Sequence, residues 1–86
     1  MDSTEQQQRI NILLDKVRDE LNRAMSKHDP IRSPHEGYAV ILEEVDELWD
    51  EVKAQLYYPP SAYKEALQIA AMAIRFIVDL DKSLGS

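Results

Sequence analysis

The chain has 86 residues, a formal net charge of −6 and no cysteine. That length allows one domain at most, with a core too modest to be very stable alone. The missing thiols exclude disulfides and thiolate metal sites, and the acidic balance argues against a nucleic-acid polymer as partner, since such binding works by phosphate neutralisation. No apolar run of about 18 residues is present, so no membrane partner is expected. The start, from Met1 to Gln8, is polar and acidic rather than signal-like, and the chain reads as a soluble cytoplasmic protein.

The first predicted helix spans 4–26. Ile10, Leu13, Leu14, Val17, Leu21, Ala24 and Met25 recur at three- and four-residue steps and mark one apolar face. The segment His28-Asp29-Pro30-Ile31-Arg32 breaks it.

The second predicted helix spans 34–58. Ser33 suits the N-cap, Pro34 the first helical position, and Glu36 completes a Ser-x-x-Glu capping box. Its apolar face is Tyr38, Ile41, Leu42, Val45, Leu48, Trp49, Val52 and Leu56. The third predicted helix spans 61–83, with Ser61 as its cap and Gly85 past its end. From Ala66 to Val78 it is apolar almost all round, which implies burial on more than one side. Two short amphipathic helices cover only part of such a surface. The expected fold is therefore all-α, a three-helix protomer completed by homo-oligomerisation as a dimer or tetramer.

The stretch Glu43-Glu44-Val45-Asp46-Glu47-Leu48-Trp49-Asp50-Glu51 is mostly acidic. Glu43/Glu47, Asp46/Asp50 and Glu47/Glu51 are like-charge i,i+4 pairs that together cost roughly 1 kcal/mol of helix stability. On a helical wheel Glu44, Glu47 and Glu51 share a stripe with Val40 at the border of the apolar face, while Glu43, Asp46 and Asp50 point outward. On the third helix Glu65, Gln68, Met72, Arg75 and Asp79 also align. Two polar stripes within apolar packing suggest an internal site, because buried polar groups need partners or a ligand. The spacing alone fits both a solvated acidic face and a hard-cation site.

The residues Glu43-Glu44-Val45-Asp46-Glu47-Leu48, followed after positions 48–64 by Glu65-Ala66-Leu67-Gln68, resemble the all-α nucleoside triphosphate pyrophosphohydrolases, the MazG-like group. That family carries Glu-x-x-Glu, a spacer of a dozen to nearly thirty residues, then Glu-x-x-Asp. The resemblance covers about 33–80. It implies a MazG-like helical bundle in which four acidic residues hold Mg²⁺, with Mn²⁺ as a substitute. The implied reaction cleaves a (d)NTP or related nucleotide to a monophosphate and pyrophosphate. Glu44, Glu47 and Glu65 match three ligand positions. The fourth is Gln68 rather than Asp, which removes one negative charge. Asp79 cannot replace it, lying eleven residues on and about 16 Å along the axis; it is expected to pair with Arg75. Glu51 is the supplementary ligand candidate.

The resemblance further implies that Glu47 orients or deprotonates the attacking water. Arg75 and Lys53 are candidates for phosphate contact, with Lys64 and Arg32 behind them. Trp49, Tyr38 and Tyr58 are candidates for stacking on a base, although Trp49 and Tyr38 also lie where core side chains belong. His35 fits a local capping role. The alternative function is a non-catalytic helical interaction, regulatory or nucleotide-sensing protein whose metal site has degenerated through Gln68.

Overall fold

The computed structural model describes residues 2–54 and 59–83. Among them the chain forms three α-helices and no strand: α1 (Ser3–Lys27), α2 (Pro34–Lys53) and α3 (Pro59–Leu80). No described helix is long and apolar enough to cross a membrane.

Each boundary has a local cause. The Asp2 carboxylate accepts from the Glu5 N–H at 2.8 Å and caps α1. His28 leaves helical geometry while its N–H still bonds the Ala24 carbonyl at 3.0 Å. Ser33 caps α2, its hydroxyl accepting from the Glu36 N–H at 3.1 Å. The return arm of the expected capping box shifts by one residue, since the Glu36 carboxylate reaches the Arg32 N–H at 3.4 Å.

Two expected ends are corrected. The second helix stops at Lys53, because Ala54 is already extended at φ −63°, ψ 138°; the expected continuation through Leu56 to Tyr58 lies outside the described residues. The third helix begins at Pro59 rather than after Ser61, with both prolines in its first turn. Proline fits there because the first N–H groups of a helix have no intrahelical acceptor. At the far end α3 closes at Leu80, three residues earlier than expected. Asp81 then accepts from both the N–H and the hydroxyl of Ser83, an Asx-type turn. Gly85 is outside the described residues.

Helix α3 is the common support. Both α1 and α2 pack against it and, among the described residues, not against each other. Val17 and Ala24 of α1 meet Ala71 and Met72 of α3, with Leu21, Val40, Ile41 and Leu67 around them. Alanine at position 71, fully buried, lets the helices approach closely. Gly37 does the same on α2: a methyl group there would collide with the Phe76 ring and press within 3.2 Å of Ile31.

The α1–α2 linker is tied down by α3. Ile31 is buried, and its N–H donates to Asp79 Oδ2 at 2.9 Å. Arg75 donates through Nη2 to the Asp29 carbonyl at 2.8 Å, and its Nε sits 3.5 Å from Asp79 Oδ2. Both side chains of this pair are only 6 % exposed. The i,i+4 spacing of Arg75 and Asp79 thus yields the expected pairing, but in the interior.

Much apolar surface remains open. Tyr38, Leu42, Val45, Trp49 and Val52 form one exposed line on α2, and Ile74, Ile77 and Val78 are exposed on α3. The core reading of Tyr38 and Trp49 is therefore corrected for the single chain: they are 64 % and 57 % exposed. Ile10, Leu13 and Leu14 likewise leave the first half of α1 uncovered.

Removing one member of a buried ion pair strands the other charge, at about 3–5 kcal/mol. Asp79→Ala also deprives the Ile31 N–H of its acceptor. The expected result in urea denaturation is a loss of at least about 3 kcal/mol; a midpoint and slope equal to wild type would refute this role for the pair.

Candidate metal centre and adjoining cleft

Since α1 and α2 stand apart on α3, a cleft of about 510 Å³ opens between them. One wall is α1, with Glu20, Arg23 and Ala24. The other is α2, with Glu36, Val40, Glu43 and Glu44. Gln68, Met72 and Arg75 of α3 form the floor, and Asp29 and Arg32 of the linker close one end. His28 also lines the cleft, and among the described lining residues there is no Phe, Tyr or Trp.

The acidic stripes of α2 and α3 converge beside this cleft, which Glu44 lines and Glu47 and Glu65 do not. Glu44, Glu47 and Glu65 each place one carboxylate oxygen so that all three lie within 4.8 Å of one another. Helical spacing explains it: Glu44 and Glu47 are one turn apart, and Glu65 projects from the facing helix. Glu44 and Glu65 are partly buried, Glu47 is exposed. Glu65 Oε2 is buried with no hydrogen-bond partner among the described residues. An orphaned buried carboxylate oxygen is costly, and a hard cation is the partner that suits three converging carboxylates.

The electrostatics agree. The Glu44 carboxyl is pushed up to about 7, first by burial, then by hydrogen bonding with Glu65 and the charge of Glu47. The Glu65 carboxyl is also raised, by burial first and then by its hydrogen bond with Glu47. Glu20, on the opposite wall, is shifted the other way. Arg23 forks onto both its oxygens and holds it below the usual carboxylate range, with a smaller hydrogen-bonding contribution from the Gln68 amide.

Comparison with known proteins found no matching family model, curated protein or solved structure. What the site can do therefore rests on its residues.

The sequence-based candidates divide clearly. Glu44, Glu47 and Glu65 come together; Gln68 lines the cleft beside Glu44. Glu51 falls outside the group of converging carboxylates. Lys53 pairs with Asp50 at 3.3 Å on the exposed side of α2, and it does not line the cleft. Arg75 does line it, but its guanidinium is committed to Asp79 and the Asp29 carbonyl. Trp49 lies on the open apolar line and is not part of the cleft. Tyr58 is outside the described residues. Arg32 lines the cleft and pairs with Asp29 at 3.4 Å.

Glu20 and Arg23 were not among the candidates. Each reads as an ordinary polar residue of an amphipathic helix. The one available signal is that Glu20 flanks Leu21 and Val17 at the edge of the apolar face.

Because Glu44 and Glu65 bind protons more tightly in the folded chain than their usual values, the folded state holds more protons than the unfolded one above pH ~4.5. The contribution of Glu44 to stability therefore falls as pH rises from about 4.5 to about 7, and that of Glu65 changes in the same direction. Glu20 acts in the opposite sense and only at lower pH, where protonation removes its pairing. With chelator present, Glu44→Gln should flatten the decline of melting temperature between pH 5 and 7.5, and an unchanged slope would exclude the triad as its source.

Proposed function

We propose that this chain is a small MazG-like, Mg²⁺-dependent nucleotide pyrophosphohydrolase, cleaving a (d)NTP or related nucleotide to a monophosphate and pyrophosphate. The observation that carries this reading is the convergence of Glu44, Glu47 and Glu65 around an unpartnered buried oxygen, next to a cleft of about 510 Å³ that Glu44 lines. The resemblance of the Glu44/Glu47 and Glu65/Gln68 spacing to the MazG-like group supports the same choice.

The donor set fits a hard cation: carboxylates from two helices and a neutral amide at Gln68. When bound, Mg²⁺ would polarise the phosphoryl oxygens and offset charge developing on them. Glu44 and Glu65 hold position, being fixed in part by burial. Glu47, the exposed member, accepts the proton from water as the new O–P bond forms and the bond between the α and β phosphates breaks. The pyrophosphate leaves with its electron pair. Arg23 and Arg32 also line the cleft, each beside a carboxylate it pairs with, Glu20 and Asp29.

In this reading the chain is a cytoplasmic enzyme working on a small nucleotide rather than a nucleic-acid polymer, which its acidic charge disfavours. The chain would act as a homo-oligomer, a dimer or tetramer. Tyr38, Leu42, Val45, Trp49 and Val52 alternate four- and three-residue steps, the pattern of a seam between packed helices. A second groove of about 500 Å³ between α1 and α3, lined by Leu13, Val17, Tyr63, Ala66 and Ala70, is a further apolar surface for a second copy.

The second reading is a nucleotide-sensing or interaction protein with no turnover. It is favoured by Gln68, which leaves the ligand set one charge short.

Calorimetric titration with Mg²⁺ and Mn²⁺, followed by a panel of (d)NTPs screened for pyrophosphate release, separates the two. The wild type should bind metal and turn over at least one nucleotide, and Glu47→Gln should lose roughly 100-fold or more in rate. Absence of metal binding would sink the metal site; binding without turnover on any nucleotide would leave the sensing reading. Sedimentation equilibrium addresses assembly separately: a dimer or tetramer is expected, weakened by Trp49→Glu, and a wild-type monomer at high concentration would refute it.

A further inference from the structure

Two apolar surfaces stay uncovered on the single chain, and they differ in shape and in charge. The first is the line Tyr38, Leu42, Val45, Trp49 and Val52 on α2, a ridge of large exposed side chains. The second is the groove of about 500 Å³ between α1 and α3, where Leu13 and Tyr63 stand beside the small Ala66 and Ala70. Helices pack by seating the ridge of one in the groove of another.

Charge decides which surfaces meet. Helix α2 carries seven acidic residues and one basic residue, which accounts for the whole formal charge of −6. Its one base, Lys53, already pairs with Asp50. Asp46 is exposed and lies one turn from both Leu42 and Trp49, so negative charge borders the ridge itself. Two such ridges packed on each other would hold these helices about 8–10 Å apart. That is about one Debye length at physiological salt, too close for screening to remove the repulsion. The groove is different. Helix α1 has five basic residues against four acidic, and α3 has two of each. The one charged side chain lining the groove is Arg9, which belongs to none of the ion pairs among the described residues.

We infer that a second copy of this chain seats its α2 ridge in the α1/α3 groove rather than against the matching ridge, its large side chains packing over Ala66 and Ala70 and its acidic border facing Arg9. The contact joins unlike surfaces, so every protomer offers one ridge and one groove. Such an arrangement closes as a dimer with two contacts about a twofold axis, or as a ring.

This inference rests on the oligomer proposed above and is independent of the metal site. Sedimentation equilibrium of the full chain tests it, at low salt and at about 0.5 M salt. Attraction between ridge and groove makes wild-type assembly weaken as salt rises, whereas ridge on ridge would tighten. Trp49→Glu spoils the ridge and Ala70→Glu the groove. Each alone should weaken self-association at least about tenfold. A 1:1 mixture of the two should associate more tightly than either alone, because one retains an intact ridge and the other an intact groove. Arg9→Glu, a change at the protein surface, repeats the groove test should Ala70→Glu fail to fold, and it should also weaken assembly. Wild-type assembly that tightens with salt, groove variants that assemble as tightly as the wild type, or a mixture no tighter than its components would each overturn the inference while the oligomer stands. A wild-type monomer at every concentration overturns both.

Discussion

The buried pair of Arg75 and Asp79 is the contact on which the rest of the architecture depends. It is expensive to place two charges where only about one-twentieth of each side chain meets water. The cost is offset because each partner has a second task. Arg75 holds the Asp29 carbonyl and Asp79 holds the Ile31 N–H, so a linker that could not pair its own backbone groups finds partners on α3. Those two hydrogen bonds bracket Pro30, at the point where the chain leaves α1 and turns into α2. Since the backbones of α1 and α2 stay more than 8 Å apart among the described residues, the linker and the contacts with α3 do most to set the distance between them.

That spacing creates the site. Had α1 and α2 packed on each other, Glu20, Glu44 and Gln68 would have no common cleft. Gly37 contributes at the same end of the molecule, letting α2 settle onto Phe76 while Ile31 fills the corner. The apolar contacts of α2 and α1 with α3 fix the helices that carry the carboxylates, so packing energy holds in place a group of like charges that would otherwise separate. The raised affinity of Glu44 and Glu65 for protons reflects their burial first and that enforced proximity second.

The helices themselves were legible in the sequence because their signals are local. Ser33 and Pro34 marked the start of α2, and three- and four-residue steps marked each apolar face. The convergence of Glu44, Glu47 and Glu65 was legible for the same reason, as two stripes with a shared period. The end of α2 was not: Leu56 continues the apolar pattern, yet the backbone turns extended at Ala54. Arg75 was legible in part: its i,i+4 spacing gives the pairing with Asp79, but its second partner, the Asp29 carbonyl 46 residues earlier, is visible only in the fold. Trp49 and Tyr38 were placed inside on hydrophobicity, which does not say whether the covering surface belongs to the same chain. Glu20 escaped notice because nothing in an amphipathic pattern distinguishes a solvated glutamate from one facing another helix.

The fork-like arrangement has a mechanical side. Its two arms are joined at the linker and along their shared support, and the described residues provide no brace across the gap. Any ligand that bridged Arg23 on one arm and Glu44 on the other would act as a cross-tie. Occupancy would then be felt as stiffness along α1, including the half of that helix whose Ile10, Leu13 and Leu14 face outward.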